Sequence, residues 1–206
     1  KEHVTDAALE GATIVHAGSC SLSAGTAAEA TVYALKERNA RGKLVSFDVN
    51  YRNLMWNDDQ AACAAAVMEI LPYVDFLKIS DEEADMIGGE AKIPALMEDK
   101  NIALVIETLG SKGARFYWNG LVGEVPALKA ECVDACGAGD AFWGGFLAHL
   151  MKMGVTSAHQ LSEELIRCAM QHGNIAGWLC VQVKGAIESL PTAAAVDHYW
   201  EANYSA

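Results

Sequence analysis

Residues 134–146, which read DACGAGDAFWGGF, place glycines and a carboxylate at the start of an apolar helical run. Gly137, Ala138 and Gly139 are small enough for bare backbone to approach a ligand, and residues 141–151 continue as a predicted helix. A helix that begins near Gly139 presents unpaired N–H groups and the positive end of its dipole. These features together favour the binding of a phosphate group.

Asp140 places a carboxylate in the first turn of this helix, where a bound polyphosphate would repel it. An acid at this position could act as the general base that accepts a proton from the hydroxyl group of the phosphoryl acceptor. The alternative is an acidic residue that balances the helix dipole, with glycines that serve close packing. The residue types fit both interpretations.

The composition limits the classes of protein to which the chain can belong. Its 206 residues are 52% hydrophobic, which is enough for a substantial core and predicts a single domain over residues 1–206. The net charge of −12 argues against a nucleic-acid-binding surface, which needs clustered Lys and Arg. A bound polyanion would therefore need local cations, backbone N–H groups or a metal ion.

The chain also shows no sign of a membrane or secretory protein. The apolar run after Asp140 is interrupted by His149 and Lys152, and residues 1–10 lack a signal-peptide core. The six cysteines are scattered and form no zinc-binding set, so we expect reduced thiols in a cytoplasmic protein. His16, His149, His172 and His198 are interpreted as packing or surface residues and not as a set of ligands.

Patterns of strand and helix alternate along the rest of the chain. Strands are predicted at residues 12–16, 43–49, 74–79, 102–108, 114–118 and 121–125, and helices at 24–40, 58–71, 81–87, 91–99, 162–181 and from 191 to about 199. Asn119-Gly120 between two apolar runs predicts a β-hairpin. We therefore predict an α/β fold with a largely parallel sheet covered by helices on both faces.

Five ordered motifs resemble those of the PfkB, or ribokinase-like, carbohydrate kinases. They are FDVNYR at 47–52 with Trp56 after it, LKISDEE at 77–83, TLGSKGA at 108–114, DACGAGDAF at 134–142 and VKGA at 183–186. The resemblance covers essentially the whole chain and implies the three-layer ribokinase-like fold. It also implies that ATP donates its γ-phosphoryl group to a sugar hydroxyl.

The resemblance implies a role for individual residues in phosphoryl transfer and nucleotide binding. Asp140 would accept the proton of the acceptor hydroxyl, while N–H groups at Gly137, Ala138 and Gly139 stabilise the charge on the transferred group. Lys78 would contact the ATP phosphates. The phosphate and ribose would contact Thr108, Gly110 and Gly113, and the adenine or ribose would contact Asn174. A solvated lysine, a plain strand connection and an outward-facing asparagine are the respective alternatives.

Two acidic residues are implied as sites for cations. Glu83 corresponds to the family glutamate that helps to hold Mg²⁺ through water, although the neighbouring acids also fit a solvated helix face. Asp134 matches a position that helps to bind a monovalent cation such as K⁺. Cys136 replaces the usual neighbouring threonine, which leaves a backbone carbonyl as the ligand available there.

On the acceptor side, the resemblance singles out Asn50 and Arg52. The NYR motif is similar to that of fructokinase and 2-keto-3-deoxygluconate kinase relatives, which favours a ketose or a keto-sugar acid as the substrate. A guanidinium group suits a carboxylate or a polar sugar edge, although Arg52 could instead pair with a nearby acid.

Family members carry roughly a further third of chain before the point where this sequence starts. That part supplies the first strands, a β lid that commonly forms a dimer interface, and an aspartate that binds sugar hydroxyls. We therefore expect either a fragment of a longer protein, homodimeric at full length, or a protein that has lost half of its acceptor site. A non-catalytic nucleotide-binding remnant is the competing hypothesis to a sugar kinase.

Overall fold

The computed structural model describes residues 1–204 of the protein. Six strands form one sheet in the order β1-β2-β3-β4-β5-β6. Their bounds are β1 (Ile14–Gly18), β2 (Leu44–Asp48), β3 (Phe76–Ser80), β4 (Leu104–Thr108), β5 (Ala114–Trp118) and β6 (Leu121–Val125). Each predicted strand is present, with boundaries shifted by up to two residues.

The sheet is mixed. Strands β1, β2 and β3 are parallel, with Ser46 of β2 opposite both His16 of β1 and Phe76 of β3. The connections from β4 to β5 and from β5 to β6 are too short for parallel neighbours, so these strands run antiparallel. Asn119 and Gly120 both adopt positive φ, at 48° and 75°, which is the backbone of a two-residue hairpin turn. The predicted hairpin is confirmed.

Seven α-helices accompany the strands in the described residues 1–204. They are α1 (Asp6–Gly11), α2 (Gly25–Ala40), α3 (Gln60–Ile70), α4 (Ile93–Lys100), α5 (Ala138–Lys152), α6 (Glu163–Cys180) and α7 (Ala193–Tyr204). The sequence analysis missed α1, which Thr5 caps by accepting a hydrogen bond from the N–H of Ala8. The predicted helix over 81–87 is instead a turn followed by a 3₁₀ helix at Ala84–Ile87.

The described chain falls into two compact units, each with its own core. The first contains residues 1–107, 116–122 and 156–159, and the second contains 108–115, 123–155 and, of the described residues, 160–204. Val45, Phe47 and Leu77 are fully buried in the core of the first unit, and Ile175 and Ala176 lie in a core of the second. The single domain expected from the sequence stays a prediction.

Helices α5 and α6 of the second unit pack at backbone distance. A Cβ atom on Gly145 of α5 would lie 3.0 Å from the carbonyl oxygen of His172, and one on Gly173 of α6 would lie 2.7 Å from the carbonyl oxygen of Phe142. A side chain at either position would push the helices apart. None of the helices within residues 1–204 combines the length and the apolar character needed to cross a membrane.

Candidate active site

Helix α5 starts with a backbone turn that only a residue without a side chain adopts easily. Gly137 is the N-cap residue with φ at 78°, and its carbonyl accepts the first helical hydrogen bond from Ala141 at 2.8 Å. The N–H of Ala138 donates to the carbonyl of Ala135 at 3.2 Å. The helix begins one residue earlier than predicted, and the binding of an anion at its positive end stays a prediction.

Asp140 lies in the first turn of α5 and is exposed to solvent. It also lines a cavity of about 410 Å³ that extends along α5. Gly137 also serves close packing, which was the alternative interpretation of these glycines, because a Cβ atom there would lie 3.1 Å from the carbonyl oxygen of Ala186. The exposure of Asp140 is compatible with a general base, and that role stays a prediction.

Asp134 fixes the segment that leads into α5. Its Oδ1 accepts a hydrogen bond from the N–H of Cys136 at 2.9 Å, and its Oδ2 accepts one from the N–H of Gly185 at 3.0 Å. The hydrogen bond from Cys136, followed by that from Gly185, lowers the pKa of Asp134 to about 2. The carboxylate is therefore charged at neutral pH and joins the VKGA segment to the start of α5.

The second unit contains a cleft of about 300 Å³ between α5, α6 and the residues after β4, which we call the α5–α6 cleft. Four residues that the sequence assigned to the nucleotide line it together with the start of α5: Thr108, Gly110, Gly113, Asn174, Ala138 and Gly139. Two of these segments are more than thirty residues apart in sequence. The structure thus brings the predicted nucleotide residues of this unit to one place.

Local hydrogen bonds set the shape of this cleft. The N–H of Leu109 donates to the carbonyl of Gly113 at 2.8 Å, which closes the turn between β4 and β5. Asn174 is 8% exposed, and its Nδ2 donates to the carbonyl of Pro126 at 3.0 Å. The outward-facing alternative for Asn174 is therefore wrong.

Sequence reasoning missed the aromatic part of the cleft. Phe142 and Trp178 line it, and the Trp178 Nε1 donates to the carbonyl of Lys129 at 2.9 Å. The sequence spacing places both aromatic residues on the same helix faces as predicted site residues. Trp178 lies four residues after Asn174, and Phe142 lies three residues after Gly139, on the predicted helices.

In the first unit, Lys78 forms a buried ion pair. Its Nζ lies 2.8 Å from Oδ2 of Asp48, and the two side chains are 5% and 3% exposed. Asp48 and Lys78 are opposite each other in the parallel register of β2 and β3. The alternative of a solvated lysine is wrong, and the assignment to ATP phosphates stays a prediction.

Glu83 is also buried, at 8% exposed, so the solvated helix face is the wrong interpretation. Its Oε1 accepts a hydrogen bond from the N–H of Tyr51 at 2.7 Å, and its Oε2 accepts one from the N–H of Ser80 at 2.8 Å. The carboxylate therefore connects the segments that follow β2 and β3. Both segments leave the carboxyl edge of the parallel strands, where α/β sheets bind ligands.

The two acceptor-side candidates lie on the segment after β2. Asn50 adopts φ at 41°, and Arg52 is exposed with its Nη1 donating to the carbonyl of Tyr51 at 2.9 Å. Within residues 1–204, Arg52 forms no ion pair. The alternative in which it pairs with an acid is not observed in this part of the chain.

Two of the histidines are packing residues, as expected, and they pack against each other. The rings of His149 and His172 lie 3.9 Å apart between centroids, and Cys168 is next to them. That the histidines form no set of ligands stays a prediction. The proximity of these two rings was not predicted, because α5 and α6 bring together residues that are distant in sequence.

The profile of the pfkB family of carbohydrate kinases matches residues 1–193. The chain belongs to this family. It is 35% identical over 188 residues to fructokinase-2 of Oryza sativa subsp. japonica, covering 89% of this chain and 54% of that protein. The chain thus spans about half the length of this relative.

Solved structures of other pfkB-like sugar kinases share the fold. A fructokinase from Xylella fastidiosa with bound ATP superposes with a TM-score of 0.88 at 27% identity, covering 98% of this chain and 65% of that one. A fructokinase double mutant from Vibrio cholerae O395, bound to fructose, ADP and potassium ion, superposes with a TM-score of 0.80 at 31% identity. The match covers 90% of this chain and 59% of that one. The resemblance to the pfkB family and the ribokinase-like fold are both confirmed.

Proposed function

We propose that the protein is an ATP-dependent sugar kinase that transfers the γ-phosphoryl group to a sugar hydroxyl, with fructose as the first candidate acceptor. The observation that carries the proposal is the α5–α6 cleft, which is lined by the first residues of α5 and by the residues that the resemblance assigns to the nucleotide. The relatives named fructokinase, one of them bound to ATP and another to fructose and ADP, support the same reaction.

In this proposal the first turn of α5 supplies both charge stabilisation and proton transfer. The N–H groups of Gly137 and Gly139, on either side of Ala138, stabilise the charge on the transferred group, and Asp140 accepts the proton of the attacking hydroxyl. Because the transition state of phosphoryl transfer is loose, positioning and charge neutralisation contribute more than a strong base. Thr108, Gly110 and Gly113 are assigned to phosphate and ribose, and Asn174 to adenine or ribose.

We assign the cations to the carboxylates that the resemblance singled out. Glu83 holds Mg²⁺ through water, since the two amides that it accepts leave lone pairs on both oxygens. Lys78 is assigned to the ATP phosphates, and Asp134 to a monovalent cation such as K⁺, the ion in the Vibrio cholerae structure. When bound, Mg²⁺ neutralises the charge of the phosphate oxygens.

For the acceptor we assign Asn50 and Arg52. The exposed guanidinium of Arg52, which makes no ion pair within residues 1–204, also suits a carboxylate. This observation favours 2-keto-3-deoxygluconate as the second acceptor to be tested. A homodimer of a longer protein and a cytoplasmic location both stay predictions.

The test is a coupled ADP-release assay with MgATP and a panel of fructose, 2-keto-3-deoxygluconate, ribose and nucleosides. We expect turnover with fructose, and a loss of at least about a hundredfold in kcat for Asp140→Asn, in the range of general-base catalysis. The matched control is Glu131→Gln, an exposed acid of the same unit, which should keep wild-type turnover. An Asp140→Asn variant that retains most of its turnover would show that the base is misassigned.

A nucleotide-binding protein without turnover is the second candidate, because the α5–α6 cleft would serve nucleotide binding in the absence of any acceptor site. MgATP should raise the melting temperature under both proposals, because a ligand that binds the folded state stabilises it. A rise without ADP release for any acceptor would support the second candidate. A melting temperature that MgATP does not raise would contradict both candidate functions.

A further inference from the structure

Three potential metal ligands converge in the second unit, away from the start of α5. They are His149 on α5 and Cys168 and His172 on α6, and their ligand atoms all lie within 4.8 Å of one another. Cys168 and His172 are four residues apart and therefore lie on one face of α6. Two ligands come from one helix and the third from its neighbour.

The hydrogen bonds of the two imidazole rings leave nitrogen atoms for a ligand. Nδ1 of His172 lies 2.9 Å from the carbonyl oxygen of Cys168, and since that oxygen only accepts, Nδ1 carries the proton. Nε2 of His172 therefore has the free lone pair, and a second ring nitrogen bonded to a backbone carbonyl is the usual support of a metal-binding histidine. His149 is 9% exposed, and its Nδ1 is buried with no hydrogen-bond partner.

The surroundings keep both rings neutral. Burial lowers the pKa of His149 to about 4 and lowers the pKa of His172 as well. Lys152 and Asp197 are the charged groups nearby, and they form an ion pair of 2.9 Å. A neutral imidazole needs to lose no proton before it binds a metal ion.

We propose that His149, Cys168 and His172 bind a transition-metal ion of borderline softness, for which Zn²⁺ is the best match. Nitrogen and sulfur donors in this combination are typical of zinc sites. Ligands of a tetrahedral zinc ion are about 3.5 Å apart, so the cluster needs to close by about 1 Å. The competing interpretation is an aromatic stack, because Trp200 of α7 lies against His172 with the ring centroids 4.1 Å apart.

A bound ion would join α5 to α6. His149 lies nine residues after Asp140, which is about 13 Å along the helix, so the ion would not touch the reacting groups. Burial raises the pKa of the Cys168 thiol, and forming the metal–sulfur bond therefore releases the thiol proton to solvent. The site would stabilise the helix pair and take no part in phosphoryl transfer.

The test uses Co²⁺ as the spectroscopic probe, because Zn²⁺ has a filled d shell. The purified chain is freed of metal, titrated with Co²⁺ and then with Zn²⁺ against a competing chelator. We expect one ion per chain, a thiolate-to-cobalt charge-transfer band that Zn²⁺ abolishes, and a higher melting temperature with Zn²⁺. A wild-type protein without the thiolate band, or without saturable binding, would overturn the proposal in favour of stacking only.

Variants identify the ligands. Cys168→Ser changes a single atom and should abolish the charge-transfer band, and His172→Gln should weaken binding by about a hundredfold or more, since even supporting residues contribute tenfold to a hundredfold. His198→Gln on α7 and Cys132→Ser, both exposed, are the matched controls and should bind like the wild type. A band that survives in Cys168→Ser but disappears in Cys132→Ser would place the metal elsewhere and overturn the assignment.

Discussion

The backbone N–H of Gly185 donates a hydrogen bond to Oδ2 of Asp134 over 3.0 Å, across 51 positions of sequence. The other oxygen of the same carboxylate accepts the N–H of Cys136, one residue before Gly137. A single charged side chain therefore fixes both the segment after α6 and the turn that opens α5. The geometry of the proposed anion site depends on this acid.

The stability that Asp134 provides should depend on pH. Its pKa is lowered from 3.8 to about 2, so its contribution is present above pH 3.8 and is lost as the pH falls through about 2. Asp134→Asn should therefore have a lower melting temperature than the wild type at pH 7, and the gap should narrow between pH 4 and pH 2. Glu131→Gln is the control, and a gap that does not change with pH would contradict the prediction.

Gly113→Ala should destabilise the turn after β4. Gly113 has φ at 112°, and a Cβ atom there would lie 2.1 Å from the carbonyl oxygen of Val125. We expect a loss of roughly 2–4 kcal/mol in the free energy of unfolding, measured by urea denaturation. Gly110→Ala is the matched control, because its φ is also positive but no atom lies within 4 Å of the added Cβ. Its loss should be about 1 kcal/mol. Equal losses would show that the close approach is unimportant.

Glu83→Gln should weaken the connection between the segments after β2 and β3. The amide offers a single oxygen in place of two, so either Tyr51 or Ser80 loses its hydrogen-bond acceptor. We expect a loss of about 1–3 kcal/mol in the free energy of unfolding, as for a buried donor without a partner. Glu82→Gln, at an exposed neighbouring position, should change it little. A Glu83→Gln variant as stable as that control would refute the structural role.

The buried pair of Lys78 and Asp48 should behave as a unit. Lys78→Met leaves a buried carboxylate without its partner and should lower the free energy of unfolding by roughly 3–5 kcal/mol. Adding Asp48→Asn should recover part of that loss, because the uncompensated charge is removed. Urea denaturation of both single variants and the double variant measures the coupling. Lys43→Met, at an exposed position, is the control, and additive losses would contradict the pairing.

Local patterns were sufficient for much of the fold. The apolar runs of the strands and the Asn119-Gly120 turn are signals that lie within a few residues of sequence, and each strand predicted from them is present. The exceptions are also local. Residues 81–87 have the polarity of a helix start, and Ser80 and Glu83 exchange the hydrogen bonds of a capping box, but Gly88 and Gly89 adopt positive φ and end the segment after a single 3₁₀ helix.

The contacts of the candidate site were predictable only in part. The motif residues Thr108, Gly110 and Asn174 line one cleft as expected, but the hydrogen bond of Asn174 depends on the carbonyl of Pro126, which is distant in sequence. The pairing of Lys78 with Asp48 follows from the register of β2 and β3, which tertiary structure sets. For the same reason His149 gave no sign of its proximity to His172, although the four-residue spacing of Cys168 and His172 was visible.

The glycine contacts between α5 and α6 also determine how the α5–α6 cleft can admit a ligand. Gly145 and Gly173 let the two helices approach until backbone meets backbone, so the walls that they form have little freedom to separate. For the nucleotide proposed above, we therefore infer that entry and exit rely on the turn at residues 108–113 and on the segment held by Asp134, while the helix pair keeps a constant width.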